Sequence, residues 1–247
     1  MKLSHRLSNI VKMITPQYVH VWDCCCDHGL LGAEILNQKL ATTTHFVDIV
    51  PELMQQVEHK LQLFYPLTTY ATDNADTAQH WQVHCLDVAQ LPLNNYQGRQ
   101  LVIIAGVGGD LMLQMVQQLI YTHPSLSLDF LLCSVNNVAK LRAMLNANHC
   151  QLIDEQLISE NRRYYELLYV RRPATNQIKQ SSAPLISLLG DKIWQSHCAE
   201  QSVVIERYLK NVLIHYRKTA NSKSAIDISL YEGYQHIADS LQLASEV

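Results

Sequence analysis

The sequence predicts an α/β fold: a largely parallel sheet covered by helices on both faces, ending in an antiparallel hairpin and carrying a small C-terminal helical extension. Three observations predict it. Short apolar, β-prone runs alternate with helical segments from residue 18 to residue 146. Two further β-prone runs, 151–158 and 164–170, follow with only 159–163 between them, which is hairpin length and too short for a crossover helix. A stretch rich in Pro, Thr, Asn, Gln and Ser then separates this unit from a region of helical periodicity.

Taken in order, Leu3, Leu7, Ile10, Val11 and Ile14 have helical spacing, and the helix must stop before Pro16 because the residue preceding proline avoids the α region. Residues 18–22 form a first strand, 30–40 a helix, 43–49 a second strand and 51–64 a helix with Pro51 in its first turn, where a missing N–H is harmless. Residues 65–80 are polar and aperiodic, a loop or a frayed helix. Strands at 81–86, 100–105 and 129–133 alternate with helices at 110–121 and 138–146. The expected organisation is a main domain at 1–172, a linker at 173–184 and a helical domain at 185–247. In the last, Ile186, Leu189, Ile193, Val203, Val204, Tyr208 and Val212 give one helical pattern and 227–243 another. Two such helices bury little alone, so they are expected to pair and lean on the main domain.

With 247 residues, 48% of them hydrophobic and 17% charged, the chain can bury a substantial core, which excludes disordered and low-complexity architectures. The longest apolar runs, 101–107 and 130–135, fall far short of the roughly 18 residues of a membrane-spanning helix. Lys2, His5 and Arg6 open the chain without an apolar run behind them, so a secretory signal is not expected and the chain reads as cytoplasmic. Neither a membrane attachment nor an obligate protein partner is indicated. The seven cysteines lack a CxxC pair: Cys85, Cys133 and Cys150 sit in strand-like runs as small hydrophobes, and the consecutive Cys24, Cys25 and Cys26 suit neither a disulfide nor a zinc site. The 12 histidines are scattered without ligand spacing, and no metal is expected. Charge is polarised: 162–223 holds 11 Lys/Arg against 4 Asp/Glu, the remainder 8 against 18. A basic C-terminal third on an acidic body suits contact with a polyanion, and equally a solvated helical face.

In a parallel sheet, ligands bind beyond the carboxyl ends of the strands, near the point where strand order reverses. Three segments would meet there. Trp22-Asp23-Cys24-Cys25-Cys26-Asp27-His28-Gly29 leaves the first strand; Asp48 ends the second; Ile104-Ala105-Gly106-Val107-Gly108-Gly109-Asp110 leaves the fourth. A carboxylate such as Asp48, about 25 residues after the first turn, suits the two hydroxyls of an adenosine ribose. Asp87, after the third strand, is placed for an adenine amino group. Plainer roles remain open: Asp48 and Asp110 as helix caps, the glycines as a turn, His28 as a satisfied histidine at a helix start. The shared location at successive strand ends favours one common site. The closing hairpin is also the pattern of Rossmann-like methyltransferases dependent on S-adenosylmethionine (SAM), whereas a nicotinamide oxidoreductase calls for G-x-G-x-x-G where this chain has only Gly29 and Gly32.

At these residues the chain resembles the TrmK family of bacterial tRNA (adenine(22)-N1)-methyltransferases, more closely its gamma-proteobacterial branch. Leu3-Ser4-His5-Arg6-Leu7 resembles the family's Leu-Ser-x-Arg-Leu opening, and the 23–29 loop its Asp-x-Gly-x-Asp-His-Gly. Residues 104–109 resemble its Ile-Ala-Gly-Met-Gly-Gly, and Tyr164-Tyr165-Glu166 its Tyr-Tyr-Glu. The resemblance spans Leu3 to about Val170 and implies SAM as cofactor and tRNA as partner, with methyl transfer to N1 of an adenine. The cofactor contacts it implies are Asp23, Cys25, Gly29, Asp48, Ile49, Asp87, Val88, Ala105, Gly106 and Gly108. Asp27 is the leading candidate for stabilising charge on the base, with His28 and Asn136 as positioning groups. The chain departs from the pattern at Cys25, where the family has glycine, at Val107, and at Cys133-Ser134-Val135-Asn136-Asn137, where the family has Gln-Pro-Asn. A Cβ at position 25 restricts positive φ and close backbone approach, which keeps open an RNA-binding relative that is non-catalytic or differently targeted.

Overall fold

The computed structural model describes residues 3–15, 18–66, 80–178, 184–196, 198–220 and 225–243. Helix α1 (His5–Met13) begins where the Ser4 hydroxyl accepts from the Leu7 amide, and it buries Ile10, Val11 and Met13. The strands β1 (Tyr18–Cys24), β2 (Ala41–Asp48), β3 (His80–Cys85), β4 (Gln100–Ala105) and β5 (Leu128–Cys133) are parallel. The hairpin strands β6 (Gln151–Glu160) and β7 (Arg163–Arg172) complete one sheet in the order β3-β2-β1-β4-β5-β7-β6, with β7 antiparallel to both neighbours. Their two-residue turn, Asn161–Arg162, has φ of 51° and 61°, the double left-handed geometry that matches strand twist.

Because side chains alternate across a strand, β4 serves both faces. Val102 and Ile104 join a core with Trp22, Phe130, Met112 and Leu141; Leu101 and Ile103 join the opposite core with Val21, Leu131, Ile10 and Ile35. Helices α2 (Leu30–Asn37) and α3 (Pro51–Phe64) pack beside β2, while α4 (Gly109–Thr122) and α5 (Val138–Ala147) share the other face. Strand β1 runs two residues beyond the expected Trp22 because Asp23 and Cys24 are paired on both sides, with Phe46 and Val47 of β2 and with Ile103 and Ile104 of β4. The 67–79 part of the expected loop lies outside the described residues.

After β7 the chain makes one helical turn, α6 (Thr175–Ile178), tied to the loop ahead of β5 by Arg172 and Thr175, which both donate to the Pro124 carbonyl. The expected helix through Ile186 and Leu189 does not form. The Ile186 amide and carbonyl both bond the Asn146 side-chain amide at 2.8 Å, and the amides of Asp191 and Lys192 both donate to Glu155 at 2.6 and 2.7 Å. Backbone groups that a helix would use are thus engaged by the main domain, and helix α7 starts only at Ala199 (Ala199–Ala220). It pairs with α8 (Ala225–Ser240), and their cluster includes Ala139 of α5 and Leu157 of β6. Beneath it Arg142, fully buried, donates to Glu155 and Glu166 at 2.6 Å each, and Tyr208 of α7 donates to Glu166.

All seven cysteines are free. Cys133 and Cys150 are buried, but Cys85, expected inside, is exposed, because β3 is an edge strand whose last residue meets solvent. Among the described residues no helix is long and apolar enough to cross a membrane, and no cluster of His, Cys, Asp or Glu could hold a metal. Three of the scattered histidines do meet. His20 Nε2 faces the Gln97 carbonyl at 3.1 Å and must carry its proton, so its Nδ1 accepts from His45 Nε2 (3.0 Å), and His45 Nδ1 accepts from His84 Nε2 (3.0 Å). This fixes one tautomer along a neutral chain, with His45 stacked on Trp22 at 3.7 Å between ring centroids.

Burial, and secondarily the neighbouring His84 and His20, push His45 down to about 2 from its ordinary 6.5. A depressed folded value means that the unfolded chain takes up the proton first, so stability is complete above pH 6.5 and falls as the pH drops below it. Denaturation between pH 7.5 and 5.5 is expected to show a loss of about 1.4 kcal/mol per pH unit below 6.5 from His45. His20 and His84 shift in the same direction and add to it. A His45→Phe protein should be less stable at pH 7.5 yet show a flatter acid limb; an unchanged limb would remove the assignment.

Candidate active site

The carboxyl ends of β1, β2 and β4 gather the three segments expected there. From β1 the chain turns through Cys25 (φ 57°), Asp27 (φ 51°) and Gly29 (φ 71°), all left-handed, before α2. The turn is pinned by backbone bonds from Cys26 N to Val47 O (3.1 Å) and from Gly29 N to Cys26 O (2.8 Å). Asp23 lies beneath it, buried, and accepts from the Gly32 amide at 2.8 Å. Burial pushes its carboxyl up to about 7, against the Gly32 bond, with Asp48 raising it further. Gly32 has no room for a side chain: a Cβ would stand 2.3 Å from the Phe46 ring.

Asp48 joins two turns. One oxygen accepts from the Asp27 amide and the other from the Val50 amide, both at 3.1 Å. The second bond is an Asx turn ahead of α3, whose N-cap is Val50 with no side-chain cap, so Asp48 does not cap the helix directly. Each carboxylate oxygen retains a further acceptor position. The adjacent Ile49 is 66% exposed, an apolar side chain at the open edge. Asp87 accepts from the Ala89 amide at 2.9 Å, and Val88 turns its side chain into the core, so only its backbone faces the edge. Beyond β4, Ala105 is half-buried and Gly106 takes φ 89°. Gly108 is the N-cap of α4, and Asp110 lies in its first turn, where it accepts from Asn137 Nδ2 at 3.0 Å. Asn136 is exposed, and its side-chain oxygen accepts from the Gly109 amide at 2.8 Å. Asp27 and His28 are exposed, with Asp27 Oδ1 3.6 Å from His28 Nε2.

The structure therefore brings Asp23, Cys25, Asp27, His28, Gly29, Asp48 and Ile49 together at the carboxyl ends of β1 and β2, where the Asp27 amide bonds Asp48, and sets Gly106, Gly108 and Asn136 around the start of α4. Ser134, which the sequence analysis names only within the 133–137 segment and gives no role, is buried, bonds the Asn136 carbonyl and shapes the turn against which Gly109 packs. Its signal was only its place after an apolar strand. Chemically, the edge offers carboxylate acceptors, exposed backbone and a half-buried thiol that burial, then Asp48 and Asp23, raise to about 11. That thiol stays protonated at neutral pH, and the set suits binding and alignment of reactants.

A non-glycine residue in the left-handed region costs roughly 1–2 kcal/mol, partly recovered here because the Cys25 side chain packs on the core. Cys25→Gly is expected to change stability by less than about 1 kcal/mol, and Cys25→Val to lower it by about 2 kcal/mol or more, since a β-branched residue tolerates positive φ least. Thermal denaturation of both checks this; equal losses would mean that packing outweighs strain.

The chain matches the family model "Methyltransferase domain" over residues 3–168. No curated protein matches significantly. Among solved structures, TrmK of M. capricolum in complex with S-adenosyl-homocysteine aligns at 17% identity, covering 98% of this chain and 97% of that one, with a TM-score of 0.65. The B. subtilis M1A22 tRNA methyltransferase TrmK aligns at 16% identity over 98% and 97%, with a TM-score of 0.61. Sp1610 of Streptococcus pneumoniae aligns at 14% over 96% and 99%, with a TM-score of 0.70. Identities this low establish a common fold, and the family match, covering more than half of the sequence, establishes membership: the chain belongs to the methyltransferase domain family.

Proposed function

We propose that this chain is a SAM-dependent tRNA methyltransferase of the TrmK type, in the gamma-proteobacterial branch of that family, acting on N1 of adenine 22 in the cytoplasm. The observation that carries the reading is that the likeness to the M. capricolum and B. subtilis TrmK structures extends over 98% of the chain, the terminal helix pair included. The sequence motifs at Asp23–Gly29 and Ile104–Gly109 point to the same family. In this reading residues 1–172 form the catalytic domain, 173–184 a linker and 185–247 a helical domain that meets tRNA.

Bound SAM supplies an electrophilic methyl group on a sulfonium. Asp48 accepts from the ribose hydroxyls through its remaining acceptor positions, Asp87 accepts from the adenine amino group, and Ile49 covers the adenine face. The backbone at Cys25, Gly29, Val88, Ala105, Gly106 and Gly108 lines the rest, with Asp23 holding the first loop from below. Adenine N1 already carries a lone pair, so alignment matters more than proton abstraction. Asp27 offsets positive charge on the methylated base, and His28 and Asn136 position it, once the base is drawn out of its stack.

Exposed Arg207, Arg217 and Lys218 on α7 are free to meet phosphates. Arg162 and Arg163 are exposed as well, and they lie at the carboxyl edge, because β7 starts there: Leu167 pairs with Cys133, the last residue of β5. Purified protein with SAM and unmodified tRNA is expected to form 1-methyladenine, read by nucleoside mass spectrometry. Reversing charge at Arg207 and Arg217 should weaken tRNA binding and flatten its salt dependence by roughly 1.5 log units per log unit of salt, at about 0.7–0.9 for each phosphate that is no longer neutralised. Protein that binds tRNA but neither SAM nor its demethylated product would be the non-catalytic relative instead.

A further inference from the structure

A groove of about 610 Å3 runs between α2 and α3. Its mouth is formed by His28 and Gly29, directly after Asp27, and from there it follows α2 from Leu30 to Asn37 and α3 from Val57 to Phe64. Seven helical steps of about 1.5 Å make it roughly 10 Å long. The floor of Phe46, Val57 and Leu61 is buried and closed, so closely that a Cβ on Gly29 would meet Phe46 and Val57 at 3.2 Å. At the far end Phe64, the last residue of α3, is 74% exposed. Fraying does not explain this, because the next residue is fixed: the Tyr65 amide donates to Leu61 O at 2.8 Å, its hydroxyl donates to Asn37 of α2 at 2.7 Å, and its carbonyl accepts from Trp81 at 2.7 Å. A held helix end thus leaves one aromatic face open above an apolar groove.

We propose that this groove holds an unstacked base of the RNA substrate, that of a nucleotide adjoining the target adenine, an assignment that rests on the tRNA reading above. Composition selects the occupant. Among the described residues that line the groove, Lys60 alone carries a permanent charge, and it is exposed. One planar body with one anion beside it is the make-up of a nucleotide, and bases of single-stranded RNA bind by stacking on aromatic side chains. The nearest acids do not oppose it: Glu34 accepts from Asn37 and Gln38, and Glu58 of α3 faces the other way, toward Trp81 and His84. A peptide strand would bring backbone donors and acceptors in equal number, whereas the polar groups of Asn37 and Tyr65 are already bonded to each other. Position selects the nucleotide. The groove opens one residue from Asp27, so a strand that presents its target base to Asp27 carries the neighbouring base over the mouth at His28 and Gly29.

The test measures the affinity of full-length wild type, Phe64→Ala and Phe64→Trp for an unmodified tRNA transcript, and for two transcripts with an abasic nucleotide on one or the other side of the target adenine. Phe64→Ala is expected to bind intact tRNA about 5- to 100-fold more weakly, the scale of one base stacked on one ring, with an unchanged salt slope because no charge is removed. Phe64→Trp keeps a stacking face and should stay within about threefold of wild type. One of the two abasic transcripts should cost wild type a similar factor yet cost Phe64→Ala less than about twofold, since the base and the ring are lost as a pair. SAM affinity within about twofold of wild type shows that each variant is folded. Unchanged tRNA affinity in Phe64→Ala would leave the groove to an apolar partner of another class and overturn the assignment. So would abasic losses equal in both proteins, or a loss of SAM and tRNA binding together, which would make Phe64 a packing residue. Wild type that binds and methylates tRNA without these effects removes this assignment alone; wild type that binds no tRNA removes it together with the reading on which it rests.

Discussion

The parallel pairing of β1 with both β2 and β4 is the constraint from which the site follows. Strands on either side of β1 lead to crossovers on opposite faces. The chain leaving β1 enters α2 on the Phe46 side, and the chain leaving β4 enters α4 on the Val102 and Phe130 side. The two turns therefore diverge, which is the arrangement that places a ligand edge at the carboxyl ends of β1 and β4. That edge is held by bonds between strand ends: Asp48 clasps the β1 turn from one side, and Asn136 holds the start of α4 from the other. A left-handed residue such as Cys25 persists there because the surrounding bonds fix the turn regardless of the local preference.

A second constraint fixes the terminal helices to that frame. Arg142 neutralises two buried carboxylates, one of which also receives Tyr208 of α7 and the other the backbone at Asp191 and Lys192. Burial acts against the guanidinium's charge, but Glu166 and Glu155 outweigh it and hold the group above its ordinary value. Such a cluster adds little net stability over an apolar core, yet breaking it from one side costs about 3–5 kcal/mol, so it sets position more than strength. The helix pair is thereby oriented by α5, β6 and β7, the last of which also carries Tyr165 under Arg6.

Much of this was legible because strands and helices leave local periodic marks. The bounds of α3 and β4 match the sequence reading, since Pro51 pre-sets one and an uninterrupted apolar run defines the other. What escaped depends on partners far along the chain. Residues 186–196 carry helical spacing, but Asn146 and Glu155 take up their backbone groups from 40 and 36 positions away. His20, His45 and His84 have no common spacing and meet only because the pairing of three parallel strands places them diagonally, with His45 opposite Trp22 and Gln82. The site segments were legible as a set because each follows a strand end. The split at Asp87 and Val88, one side chain at the edge and the next in the core, required knowing the short 3₁₀ turn that Asp87 caps.

Polarity of charge joins the two ends of the molecule into one argument. An acidic edge suits a cofactor that carries a sulfonium and a base that becomes cationic on methylation, and the same edge repels a polyanion. In the proposed function, a nucleic-acid substrate is therefore drawn in by charge held elsewhere but aimed at the edge. Arg162 and Arg163 stand on the hairpin turn at that edge, and Arg207, Arg217 and Lys218 on a helix that the Arg142 cluster orients against the same hairpin. In the proposed function the hairpin is the common element. Its turn offers cations outward, its Tyr165 and Glu160 hold Arg6 beside Gly106, and its Glu166 anchors the helices. A sheet that continued with a parallel strand in place of β6 and β7 would bring a crossover helix to this position and lose all three.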